Sequence, residues 1–202
     1  ADCTPDQHWI AAGAGRLVSD GDAAFGGEVV VQPLAEPTPT PLYQHLVRSQ
    51  QRENVLHKGF AVTAKLFCTR QTCMRVGPFD EGLLSGGDLE WGHRARQLGI
   101  ATHFLPDAIV HTRPRKTLGS AIRQARRVAA GRLHLERRQS SSSTPMHLAP
   151  HRGTLEAVKW ISTHPDLSNG VRLRVLGVAT IMRIASHIER MRLFLGGAPE
   201  RR

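Results

Sequence analysis

Behind the pair Gly26-Gly27, the residues Val29, Val30 and Val31 set three β-branched side chains in a row. Side chains that are stiff at χ1 suit a strand better than a helix, so this stretch excludes an all-helical chain. Much of residues 1–112 alternates in character around it. Residues 1–6 read as a strand end or loop that enters a short helix over 7–12, with Asp6 as its cap and Trp9 turned inward. Residues 33–41 contain four prolines and no apolar period, which predicts a loop. A helix is expected over 42–55 with Leu42, Leu46 and Val47 facing inward, then a second strand over 60–68 and a short helix over 69–74. The pattern continues with a helix over 89–98 that Gly99 stops, and short strands over 100–105 and 108–111 flank Pro106-Asp107. Beyond residue 113 the pattern is helical, over 118–128, 154–163 and 172–195, with a polar connection at 139–144. Mixed elements in this order place the chain in the α/β or α+β class.

Charge divides the chain. Residues 1–112 carry nine Lys and Arg against twelve Asp and Glu, and residues 113–202 carry eighteen against five. A uniformly basic nucleic-acid binder would not be built this way, and aromatic residues do not interleave with the arginines, so no nucleic-acid partner is expected. A basic second half suits an anionic surface. Cys3, Cys68 and Cys73 form no zinc spacing and read as reduced thiols of a cytoplasmic protein. No run of eighteen apolar residues is present, and the opening Ala1-Asp2 reads as the middle of a longer chain.

The residues with chemistry fall in four places. The first is Ser85-Gly86-Gly87-Asp88-Leu89-Glu90-Trp91-Gly92-His93-Arg94. Two acids at spacing two diverge by about 200° on a helix, so one of them is free to face a cleft. Asp88, beside the two glycines, suits general-base work on a hydroxyl. The competing explanation is a capping box from Ser85 to Asp88. The second place is His111 at a strand end, able to ligate a metal or to be satisfied by a backbone partner. The third is Arg123-Gln124 with Arg127, which could grip phosphate oxygens or form a solvated helix face. The fourth is the last helix, where Ile181, Ile184, Ile188, Met191 and Leu195 recur at three and four spacing beside Arg172, Arg183, His187 and Arg190. Packing on the domain's own core explains that stripe, and so does an anionic membrane interface.

Taken together, Val76-Gly77-Pro78-Phe79-Asp80-Glu81, the segment from Ser85 to Trp91 with Arg94, and Pro106-Asp107-Ala108-Ile109-Val110-His111 resemble the acceptor-side motifs of family-2 glycosyltransferases. Asp2-Cys3-Thr4-Pro5-Asp6 resembles the continuation of that family's DxD motif, with Asp2 as the second aspartate. The resemblance covers roughly residues 1–132. It implies a GT-A fold, a partial mixed sheet with flanking helices and a helical C-terminal extension. It also implies a nucleotide-sugar donor, an acceptor hydroxyl and a divalent cation, Mg²⁺ or Mn²⁺. Carried over residue by residue, Asp88 is the base, Asp2 and His111 are metal ligands, and Gly86, Gly87, Glu90, Trp91 and Arg94 line or support the acceptor site. Departures from the family pattern are Gly87 in place of an acid, Lys65 in place of a polar amide, and no first DxD aspartate or nucleotide-binding half. The expectation is therefore a C-terminal portion that is inactive by itself, divided into a transferase part at 1–135, a linker at 136–152 and a basic helical tail at 153–202. The full protein is expected to be cytoplasmic and peripheral on the inner face of the membrane. A non-catalytic scaffold with a degenerate transferase fold and a basic nucleic-acid-binding module are the alternatives.

Overall fold

The computed structural model describes residues 3–32, 38–48, 51–140 and 154–198. They fall into two compact units, one of Ala1–Gln32 with Ser49–Arg113 and the other of Pro33–Arg48 with Pro114–Arg202.

The first unit is built on a four-stranded sheet of β1 (Cys3–Pro5), β2 (Ala24–Val31), β3 (Leu66–Cys68) and β4 (Thr102–Thr112), in the order β1-β4-β2-β3. β2 and β4 run parallel, and β1 and β3 pair antiparallel at the two edges. Successive side chains of a strand point to opposite faces, and β2 uses both. Ala24 packs in a cluster with Val76, Trp91, Ala95 and Ile100, whereas its neighbour Phe25 packs with Leu105, Ala108 and Trp9. The first cluster is supplied by α4 (Arg70–Val76) and α5 (Gly87–Gln97), the second by α1 (Trp9–Asp20). Helices therefore cover both faces, as a strand with a near-continuous apolar run requires.

Several expectations change here. The two strands around Pro106-Asp107 are one strand with an irregularity: Leu105 pairs with Gly27 and Ile109 with Glu28, so three residues oppose none on β2. Pro106 has no N–H to donate, and the bulge removes that demand. Gly27 is required opposite it, because a Cβ there would lie 2.3 Å from the Ala108 carbonyl oxygen. The strand expected over 60–68 shrinks to β3. Phe60 and Ala61 are buried outside the sheet, and Thr63–Lys65 is a 3₁₀ turn. The helix expected over 42–55 is two, α2 (Pro39–Arg48) and α3 (Gln51–Lys58), and α2 begins inside the proline-rich segment, since prolines are tolerated in a first turn. α1 extends to Asp20, and Asp6 does not cap it. Its carboxylate accepts from the His8 N–H at 3.0 Å, a turn before the helix.

The second unit is helical. α2, α7 (Thr154–Thr163) and α8 (Asn169–Phe194) pack around Ile161, Val175 and Ala179, with Leu42, Tyr43, Leu46 and Val47 of α2 against them, and α6 (Leu118–Ser140) packs along α8. Arg190 grips Glu136 with both terminal nitrogens, at 3.2 and 2.8 Å. The compact units divide at Arg113 and Pro114, and α6 packs along α8. α6 also runs through Ser140, past the expected start of a linker at 136, and residues 141–153 lie outside the described ones. α8 buries Val175, Val178, Ala179 and Leu193, while Ile181, Ile184, Ile188, Met191 and Leu195 are exposed. Core packing, one of the two explanations of that stripe, is thereby corrected.

Candidate functional site

The residues around α5 divide into those that hold the backbone and those that face outward. Trp91 is buried, and its Nε1–H donates to the Gly77 carbonyl at 3.0 Å. Arg94 meets Glu90 with two bonds of 2.7 and 2.9 Å, donates to the Pro78 carbonyl at 2.7 Å, and also donates to the Val76 carbonyl. Together they clasp the turn of residues 76–78 to α5, with Gly77 in a left-handed conformation at φ 85°. Glu90, Trp91 and Arg94, expected at the acceptor site, are thus occupied within the fold. The reason is valence: a bidentate carboxylate and two carbonyls take up most of a guanidinium's donors.

Asp88 is different. It stands at the start of α5, where Gly86 adopts φ 85° and no side chain caps the helix, so the capping box from Ser85 is not formed. A Cβ at Gly87 would meet nothing within 4 Å, so the space beside Asp88 is open. The Asp88 carboxylate accepts from the Leu89 N–H at 2.9 Å. Burial raises its pKa above the ordinary 3.8. The backbone N–H groups of Leu89, Asp88 and Thr63, and the charge of Lys65, pull the other way. Lys65 is itself buried, at 8 % exposure. A half-buried carboxylate held by backbone donors, with an ammonium near it and open space beside it, is equipped to accept a proton. Lys65 stood out in the sequence only as a departure from the family pattern, and its proximity to Asp88 joins positions 23 residues apart, which no local spacing shows.

His111 lies on β4 across from Thr4 of β1, its Nε2 4.0 Å from an Asp6 carboxylate oxygen. Asp2, the other expected ligand, lies outside the described residues. Among the described residues no group of three or more His, Cys, Asp or Glu is gathered for a metal. Imidazole and carboxylate are donors that suit Mn²⁺, and a Mg²⁺ site commonly takes only one or two protein ligands with the rest from water and phosphate. His111 and Asp6 thus fit part of such a set. Asp6 was read from sequence as a helix cap, and the β1–β4 pairing is what brings it to His111.

In the helical unit, Arg123, Gln124 and Arg127 line one recess of about 100 Å³, together with Arg115, Arg126 and Glu189. Glu189 is 1 % exposed and accepts from Arg126 at 2.9 Å and from Arg192 at 2.6 and 3.1 Å. The Arg192 bond is the main cause holding its carboxyl below the ordinary range, and Arg126 adds to it. The Gln124 carbonyl accepts from Arg115 at 2.9 Å. Arg123 and Arg127 make no hydrogen bond or ion pair among the described residues, so both guanidinium groups are available to an anion.

Over 134 residues the chain is 28% identical to the glycosyltransferase AglE of Haloferax volcanii, an alignment that covers 66% of this chain and 44% of that protein. The chain thus spans less than half the length of that relative. No protein-family model matches the sequence. The likeness supports a relationship to glycosyltransferases in general.

Proposed function

We propose that the whole protein, of which this chain is similar to 44% of one relative's length, transfers a sugar from a nucleotide-sugar donor to an acceptor hydroxyl on a GT-A fold of family 2. The observation that carries this reading is Asp88: a carboxylate at the glycine-opened start of α5, held by backbone N–H groups and beside Lys65. In this reading the acceptor lies over Gly86 and Gly87, and beside Gly87 no side chain intrudes. Asp88 takes the proton of the acceptor hydroxyl as its oxygen bonds to the anomeric carbon. The bond from that carbon to the diphosphate oxygen breaks on the opposite face, which inverts the configuration. The proton rests on Asp88 and the electron pair leaves with the nucleoside diphosphate. The backbone N–H groups of Leu89, Asp88 and Thr63, with the charge of Lys65, favour the ionised form of Asp88 against its burial. Glu90, Trp91 and Arg94 act at one remove, by fixing the start of α5. Arg123, Gln124 and Arg127 offer hydrogen-bond donors to phosphate oxygens. Asp2 and His111, with Asp6 nearby, would hold Mg²⁺ or Mn²⁺, which when bound neutralises charge on the leaving diphosphate. The protein works at the inner face of the membrane as a peripheral enzyme.

The test uses the full-length protein, a panel of nucleotide sugars and a readout of acceptor-dependent nucleoside diphosphate release. Asp88→Asn is expected to lower kcat by roughly 10²- to 10⁴-fold, the usual range for losing a general base, with the donor KM little changed. Undiminished transfer by that variant would overturn the assignment of the base.

A further inference from the structure

We infer that the outward face of α8 is the surface by which this protein lies on an anionic lipid membrane. Leu173, Ile181, Ile184, Ile188, Met191 and Leu195 are between 40 % and 79 % exposed. At about 100° per residue they fall in one stripe, opposite the face that buries Val175, Val178 and Leu193. Single exposed apolar residues are ordinary on a protein, whereas a contiguous stripe along a helix marks an interaction surface.

Charge identifies the partner. Arg174 lies on one flank of the stripe, and Arg183 and His187 lie on the other. None of the three makes a hydrogen bond or ion pair among the described residues, whereas Arg172, Arg190 and Arg192 are tied to Asn169, Glu136 and Glu189. The one acid in α8 is Glu189, buried on the other side. The outward face therefore carries positive charge alone. Two copies packed through it would set arginines against arginines, while anionic headgroups would complement them and the apolar stripe would enter the acyl boundary. Arginine stems are long enough to lie along the stripe and keep their heads at headgroup level. No helix among the described residues is long and apolar enough to cross a membrane, so α8 would lie on the bilayer and not span it.

This surface deepens the peripheral placement proposed above and rests on it for the membrane side. Its test reads lipid binding and not transfer, so the two can fail separately. The full chain is floated with vesicles of phosphatidylcholine alone and with vesicles that also contain phosphatidylglycerol. Flotation is expected with the anionic vesicles, falling as salt is raised. The double variant I184E/I188E is expected to lose at least about tenfold in binding, and R174Q and R183Q about fivefold each, the worth of one arginine at a charged surface. All four side chains are exposed and none belongs to a buried cluster, so thermal melting should be unchanged. Failure of the parent chain to float would overturn the proposal, and so would equal flotation by I184E/I188E. A dimer that this double variant splits, with no lipid binding, would overturn it in favour of self-association.

Discussion

At Asp88 two influences compete, and burial is the larger, so its carboxyl sits above the ordinary 3.8. A folded-state pKa above the unfolded one means that the folded protein binds more protons in the interval between them. Stability from this group is then fully present below the unfolded pKa and is lost as pH rises through the folded one. At neutral pH the ionised side chain is therefore a cost to folding. Asp88→Asn keeps an oxygen to accept from the Leu89 and Thr63 N–H groups and removes the charge. It is expected to raise the melting temperature at pH 7, with the gain shrinking as pH falls toward 3.8 and gone below it, as scanning calorimetry at several pH values would show. A residue that costs stability and is replaced by a more stable, inactive variant is the pattern of a functional group. Spacing two separates the two acids on a helix, and the flanking glycines make Asp88 the candidate for the cleft. Glu90 turned to Arg94, and Asp88 did not.

Among the elements, α5 with the turn of residues 76–78 shows how far a motif can be read. The motif residues were visible, but their division of labour was not. Trp91 and Arg94 spend their donors on carbonyls fourteen to eighteen residues back in the chain, and partners at that separation leave no trace in local spacing. Arg94→Lys would keep one charge and lose the fork that reaches Glu90, Val76 and Pro78 together. A loss of about 2 kcal/mol in urea unfolding is expected, within the range for charge-assisted bonds at a half-buried site. On the proposed function, kcat should fall more than donor binding, since the turn anchors the helix that carries Asp88. The bulge in β4 follows the same logic. Pro106-Asp107 signalled a break, and only the parallel pairing with β2 shows that the strand resumes on the same partner.

Across the whole molecule, a carboxyl in each unit is shifted, and the two shifts run in opposite directions. In the sheet unit Asp88 is raised, and in the helical unit Glu189 is lowered, chiefly by Arg192 with Arg126 added. A lowered carboxyl contributes stability that is present above its unfolded value, ordinarily 4.5, and is lost as pH falls through the folded one. Glu189→Gln removes the charge to which Arg126 and Arg192 both donate. It is expected to cost about 2 kcal/mol at pH 7 and to flatten the acid side of the stability profile, measured by denaturant unfolding from pH 7 to pH 3. The charge contrast between the two halves was plain in the sequence, but its local use at Glu189 was not.

The sequence by itself determined several elements and where they end: the valine strand, the stop at Gly99 and the helix over 154–163 follow from β-branching, backbone freedom and apolar period, all properties of neighbouring residues. It also set Asp88 and Glu90 on different sides of one helix, because helix geometry is local. Tertiary structure alone decided which side of α8 is core. That helix is apolar on two opposite faces, so its period is satisfied by either, and the choice depends on what α2, α6 and α7 present to it. The same holds for Lys65 beside Asp88 and Asp6 beside His111. Each pair is joined by packing or strand register between distant segments, and contacts of that kind are specified by the whole chain.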